Sequence, residues 1–194
     1  TSTTNLAIGK FYTDLSSYYL RGYVSNARLV NGTALYTSNF TPSTTPLTAV
    51  SNTQLLTCQS NRFIDNSASS NTITKNGDTS VQQFQPFAPQ YQYTPAVIGG
   101  SGYFDGNGDY LSVANNTGFD FGSSNFTIEA WAYFTSFSST NGNVVVSKGA
   151  SGSVGGDFYS LQANPSGVIQ FYFGSGTPTL AGATLSANRW YHLA

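Results

Sequence analysis

Asp105, Asn107 and Asp109 alternate with glycine in the run Asp105-Gly106-Asn107-Gly108-Asp109, which places three oxygen-bearing side chains close together. Hard oxygen donors at alternating positions suit calcium, which takes roughly six to eight of them. The run is not an EF-hand loop, because Tyr110 stands where that loop's turn glycine belongs and Asn116 where its bidentate glutamate belongs. These three residues are the candidate metal ligands. The competing reading is a glycine-rich hairpin turn between two strands. Glu129, the lone glutamate, has Thr127 and Trp131 two positions to either side and reads as an exposed or hydrogen-bonding strand residue. His192 sits in an apolar strand with no Ser or Cys nucleophile motif around it, so it reads as structural. Cys58 is single, which leaves neither an internal disulfide nor a thiolate cage, and Leu55-Leu56-Thr57-Cys58 reads as a strand with a buried free thiol. No glycine-rich phosphate loop opens a helix. No residue is assigned a catalytic role.

Aromatic side chains offer another kind of site, because sugars stack on aromatic faces while amides and carboxylates bond their hydroxyls. Tyrosines cluster at Tyr12, Tyr18 and Tyr19 and again at Tyr91 and Tyr93. Strand tyrosines also serve plain sheet packing, so a ligand site is not located. Trp131 and Trp190 lie in strongly apolar strands and are expected in the core. Asn31, Asn39, Asn115 and Asn125 each begin an Asn-x-Thr acceptor pattern, as chance produces in so Asn- and Thr-rich a chain.

Elements must hold these groups, and the composition says which kind. Charged residues make up 8 % of the 194, against roughly 25 % in ordinary soluble domains, and aromatics make up 15 %. Ser, Thr, Asn, Gln and Gly must therefore supply the polar surface, a balance suited to β-rich adhesins, fibres and capsid-like proteins. The net charge is −1 and the seven basic residues are scattered from Lys10 to Arg189. Neither the basic patch that nucleic acid requires nor a polybasic membrane-surface segment is present. No apolar run approaches the ~20 residues that span a bilayer. Thr1 to Lys10 lacks a signal-peptide pattern and the chain has no Met, which suggests a processed or excerpted chain.

The apolar period is two throughout. Strands are expected at Leu6–Phe11, Tyr18–Val30, Thr33–Thr37, Asn71–Lys75, Asp109–Val113, Phe126–Phe134, Asn143–Lys148, Phe158–Ala163, Val168–Phe173 and Asn188–Ala194. Asn31-Gly32, Asn76-Gly77-Asp78, Asp105–Gly108 and Asn141-Gly142 supply the positive φ angles of tight hairpins. Thr41–Pro46 and the stretch from Gln85 to Pro95 are Pro-rich connectors. No stretch carries a capped 3.6-residue stripe. The expectation is an all-β sandwich or barrel.

Ser101–Val113, Phe119-Asp-Phe-Gly122 and Phe126–Trp131 resemble the opening strands of laminin-G-like domains, and Arg189–Ala194 resembles that family's mid-domain strand. Ile8-Gly9 and Leu20–Val30 resemble its closing strands. Gly32–Pro42, Pro46–Thr48 and Leu55–Cys58 are similar to tandem domains of this type in structural proteins of marine tailed bacteriophages. The resemblance implies a two-sheet antiparallel jelly-roll β-sandwich of the concanavalin A type. In that order, residues 1–53 are closing strands of one sandwich plus a connector, and 54–194 are opening strands of the next. The two parts either form one permuted domain or are completed by a neighbouring copy, since unpaired edges aggregate. Related folds include β-glucanases, whose retaining chemistry needs two carboxyls about 5–5.5 Å apart; with Glu129 alone that pair is missing. Many laminin-G-like domains bind calcium at a loop rim. The expectation is a non-enzymatic structural or adhesive protein of an extracellular fibre or virion surface. Its partners would be copies of itself and surface glycans, with no nucleic acid, no membrane insertion and no required cofactor beyond optional calcium. The alternative is a lectin-like carbohydrate-binding module.

Overall fold

A computed structural model describes residues 4–11, 18–87, 100–137, 140–149, 158–174 and 178–194. Its strands are β1 (Leu6–Ile8), β2 (Arg21–Asn31), β3 (Thr53–Thr57), β4 (Ile73–Asn76), β5 (Ser80–Gln82), β6 (Ser101–Asp105), β7 (Tyr110–Val113), β8 (Phe126–Phe134), β9 (Asn143–Lys148), β10 (Tyr159–Ala163), β11 (Val168–Phe173), β12 (Pro178–Thr184) and β13 (Trp190–Leu193). One 3₁₀ turn, Thr117–Phe119, is the helical element among them. Two antiparallel sheets pack as a sandwich. The first runs β12-β11-β10-β9-β1-β7-β4, and the second runs β13-β8-β2-β6-β5 with β3 also on β2.

The early strands lie in the middle of both sheets. β1 sits between β7 and β9, with Ala7 opposite Ser112 on one side and Ser147 on the other. β2 sits against β8 along most of its length and against β6 and β3 on its other side. Period-two alternation then sorts the side chains. On β8, Ile128, Ala130, Ala132 and Phe134 enter the core between the sheets. There they meet Leu6, Ile8, Phe104, Leu111, Val146 and Tyr159. Phe121 stacks on both Phe126 and Tyr159, at 4.5 and 4.7 Å between ring centroids. Each such ring removed from water contributes about 1.5–3 kcal/mol.

A bulge keeps β2 in phase. The register shifts between Ser25 and Arg28, and Asn26 takes a positive φ of 54° there. Its side chain accepts from the Leu47 backbone N–H and the Gln59 amide, each at 2.7 Å, and donates to Ser25 Oγ. Ala27 and Leu29 remain in the core on the far side of the bulge, while Arg28 points out. Gly22, further back, has φ 149°, and a Cβ on it would lie 1.8 Å from the Tyr133 carbonyl oxygen. Only glycine permits that approach of β2 to β8.

Several expectations need correction. Thr33–Thr37 forms no strand: Thr127 Oγ1 accepts from Leu35 N–H at 2.8 Å and donates to the Thr33 carbonyl at 3.1 Å. One hydroxyl thus satisfies the backbone in place of a ladder. The Asn-Gly turns do not close hairpins. Asn76-Gly77-Asp78 joins β4 of the first sheet to β5 of the second, and Asp105–Gly108 carries the chain from β6 back to the first sheet at β7. Asn141-Gly142 ends another change of sheet, from β8 to β9, and neither residue takes the expected positive φ, while a long loop follows Asn31-Gly32. Cys58 is a buried free thiol just past β3, and burial pushes it up to about 12. The Pro-rich stretch from residue 88 to 99, with Tyr91 and Tyr93, lies outside the described residues, as does Tyr12.

Candidate functional site

Two surface features stand out, and the outer face of the second sheet is the larger. Residues of β8 that alternate with the core set, Thr127, Glu129, Trp131 and Tyr133, point to this face. Their register neighbours are Arg28 and Tyr23 on β2 and His192 and Trp190 on β13.

At the centre of the face lies a buried polar network. Arg28 grips Glu129 Oε1 with both Nε (2.8 Å) and Nη2 (2.5 Å), while its Nη1 donates to the Thr48 carbonyl at 2.7 Å. Glu129 Oε2 accepts from the Tyr36 hydroxyl at 2.7 Å and lies 3.0 Å from His192 Nε2. Both Glu129 and the His192 side chain are almost fully withdrawn from solvent. Burial alone would push the Glu129 carboxyl up. The bonds from His192 and Tyr36 and the Arg28 guanidinium outweigh that and hold it below the ordinary carboxylate range. Burial, with the bond to Glu129, pushes the Tyr36 hydroxyl up to about 12. Both oxygens of this carboxylate are engaged, as befits a structural anion.

Beside the network runs an aromatic row. Tyr103, Tyr23, Tyr133 and Trp190 follow one another across four strands, with Tyr23 centred 5.0 Å from Tyr103 and 5.8 Å from Tyr133, and Tyr133 5.6 Å from Trp190. Phe84 lies over the row at 4.9 Å from both Tyr23 and Tyr133 and is 43 % exposed. Phe87 covers Trp131, and Phe40, stacked on Tyr36, covers His192. The indole N–H of Trp131 and Nδ1 of His192 are buried and find no protein partner among the described residues. Trp131 and Trp190, expected in the core, are half-buried on this outer face instead. They face away from the core because they occupy the same parity as Glu129. Of the tyrosines singled out earlier, Tyr18 packs on Phe11 and Tyr19 lies under Lys10, both away from the row. The row itself was missed, although the i, i+2 spacing of Glu129, Trp131 and Tyr133 signals it.

The second feature is an acidic corner. Asp105 and Asp109 are joined there by Asp78, and carboxylate oxygens of the three lie within 4.8 Å of one another. Asp109 is fully buried. Its Oδ1 accepts from the backbone N–H of Asp78 (2.8 Å) and Thr79 (2.9 Å), and its Oδ2 accepts from Asp105 N–H at 3.1 Å. It thereby ties together both sheet-crossing turns. Gly77, at φ 70°, makes room, since a Cβ there would lie 2.3 Å from Asp109 Oδ1. Burial raises the Asp109 carboxyl, and the neighbouring Asp78 and Asp105 add to the rise against the backbone bonds. Asp105 Oδ1 accepts from the Asn107 backbone N–H at 2.6 Å. Asp78, distant in sequence, was not in the expected ligand set.

Two antiparallel sheets with these connections define a concanavalin A-like jelly-roll sandwich. Residues 105–194 match the family described as the concanavalin A-like lectin/glucanases superfamily. No curated protein and no solved structure matches the chain. Among the described residues no helix is long and apolar enough to cross a membrane.

Proposed function

We propose that this protein is a non-enzymatic structural and adhesive module of an extracellular fibre or phage virion, assembling through the edges of its sandwich. In this reading residues 1–53 and 54–194 act together as one permuted domain, as the pairing of β1 and β2 with later strands supports. The observation that carries the assembly role is that outer strands of both sheets pair on one side only among the described residues: β12 with β11 and β4 with β7 in the first sheet, and β5 with β6 in the second. Unprotected strand edges are templates for further strands. The engagement of Glu129 by three neighbours supports a role in holding the sheet rather than in attacking a substrate. Electron microscopy of the purified protein tests the assembly role. Ordered filaments or particles are expected, and dispersed monomers at all concentrations would refute it.

A second reading, carbohydrate binding, is favoured by the aromatic row and its roof. A sugar ring stacking on Tyr23 or Trp190 would find polar atoms close by, and many weak contacts in an array would hold by avidity. A glycan array probed with wild type and Trp190→Ala separates the readings, since loss of signal in the variant is required by the lectin. Calcium belongs to the same proposal. Asp109 has spent three acceptor positions on backbone N–H groups, so Asp78 and Asp105 would carry most of a rim ion, with Asn107 beside them. Added calcium is then expected to raise the melting temperature of wild type and not of Asp105→Asn. Equal melting in both would remove calcium from the account.

A further inference from the structure

Four Asn-Gly pairs occur in the sequence, beginning at Asn31, Asn76, Asn107 and Asn141. Such a pair is chemically labile, because the glycine nitrogen has no Cβ beside it and can attack the asparagine amide carbon to close a five-membered ring. Closure needs an amide side chain without a partner, a glycine N–H without an acceptor, and a backbone with room to rotate. The fold withholds at least one of these from three of the pairs.

Asn31 is held by its side chain, which donates to the Gly118 carbonyl at 3.1 Å and the Asp120 carbonyl at 3.2 Å. The Gly32 N–H that would attack it donates to the Asn125 carbonyl at 2.7 Å. Asn76 is a ladder residue of β4 opposite Tyr110, and its amide donates to the Thr74 carbonyl (3.2 Å) and Ser112 Oγ (3.1 Å). Gly142, after Asn141, is buried, and a Cβ on it would lie 3.0 Å from the Ala163 carbonyl oxygen, so the peptide there has little room to rotate. Asn107 differs on every count. It is exposed in the turn between β6 and β7, and β8 and β2 separate that turn from β13. Its backbone N–H is bonded to Asp105 Oδ1, but among the described residues neither its side chain nor the Gly108 N–H makes a hydrogen bond. A Cβ on Gly108 would meet nothing within 4 Å.

We infer that Asn107 is a self-modification site, at which the folded chain converts its own asparagine to aspartate and isoaspartate. The Gly108 nitrogen bonds to Asn107 Cγ, the Cγ–Nδ2 bond breaks, and the glycine proton leaves with the amide nitrogen as ammonia. Water then adds to either carbonyl of the resulting succinimide and opens it. One product keeps the normal backbone, and the other routes the backbone through Cγ. Water is the one co-reactant, and no electron is transferred. The formal net charge moves from −1 to −2, one carboxylate replacing one neutral amide. The new charge arises in the turn of Asp105, beside the corner that Asp78 and Asp109 complete, so like-charge repulsion there grows. Arg21, whose side chain packs over Gly106, is a cation placed to offset it. The chemistry is independent of edge assembly and of sugar binding.

Peptide mass spectrometry after incubation in mildly alkaline buffer tests it, with the native chain and the urea-unfolded chain run side by side. In the native chain Asn107 is expected to convert about tenfold or more faster than Asn31, Asn76 or Asn141, because those sites must first open locally. In urea the four rates are expected to converge to within a few-fold. Ion-exchange chromatography should show an acidic species accumulating in wild type and co-eluting in part with Asn107→Asp. That species should be absent from Asn107→Gln, whose longer side chain closes a ring far more slowly, while far-ultraviolet circular dichroism of both variants matches wild type. Another Asn-Gly pair leading in the native chain, or an acidic species unchanged in Asn107→Gln, would overturn the assignment. So would a native chain that stays unmodified at Asn107 while the unfolded chain converts.

Discussion

Replacing Glu129 by Gln would leave the Arg28 guanidinium buried without its counter-charge, and removing one partner of a buried ion pair costs about 3–5 kcal/mol. Chemical denaturation of Glu129→Gln against wild type measures that loss, and a loss under about 1 kcal/mol would mean that the pair is solvated in solution. The same carboxylate sets an acid response. Its folded value lies below the ordinary 4.5, so its stabilisation is fully present above that value and fades as pH falls through the folded one. Asp109 acts in the opposite sense. Its folded value is raised, so its contribution is present below the ordinary 3.8 and is lost as pH rises through the folded one. Melting temperature measured from pH 6 downward should therefore fall more steeply in wild type than in Glu129→Gln, and parallel curves would contradict the direction assigned to Glu129. None of this chemistry was visible from Glu129 alone. The sequence marks it as a strand residue between Thr127 and Trp131, but Arg28 and His192 reach it only through sheet register, and Tyr36 only through the loop after β2.

Strand identity was far more legible than strand partnership. Phe126–Phe134, Asn143–Lys148 and Val168–Phe173 fall where period-two alternation and β-branched or aromatic residues place them. β12 escaped because Leu-Ala-Gly-Ala has neither alternation nor β-propensity, and only pairing with β11 makes it a strand. The Asn-Gly turns misled for a related reason. Positive φ reports a sharp change of direction, but it does not say whether the next strand stays in the same sheet. The bulge at Asn26 and the glycine at 22 show how close the packing on β2 is. In Gly22→Ala, the new methyl would strike the Tyr133 carbonyl, so β2 and β8 must part locally. The expected destabilisation is at least about 2–3 kcal/mol, with lost amide-exchange protection in both strands. Protection retained in β8 would show that the backbone yields elsewhere.

Across the whole molecule, neither 1–53 nor 54–194 has a complete set of strand neighbours. Without β1 and β2, the strands β7, β9, β6 and β8 each lose a partner on one side. Residues 54–194 expressed alone are therefore expected to aggregate, and co-expression with 1–53 is expected to restore soluble protein with the wild-type melting profile. A monomeric, cooperatively melting 54–194 would disprove the single permuted domain. The position of β1 and β2 also has a consequence in time. Contacts such as Arg28 to Glu129 and Arg21 to Asn143 join residues 101 and 122 positions apart. A ribosome therefore delivers the two central strands before their neighbours, so β1 lacks a full set of partners until β9 has emerged, and β2, met early only by β3, lacks its longest ladder until β8 has. Such long-range pairing places refolding in the slow range of about milliseconds to seconds typical of β-sandwiches. During synthesis, the exposed interval of β2 is set by translation of more than a hundred residues, which makes this strand the one most in need of a chaperone.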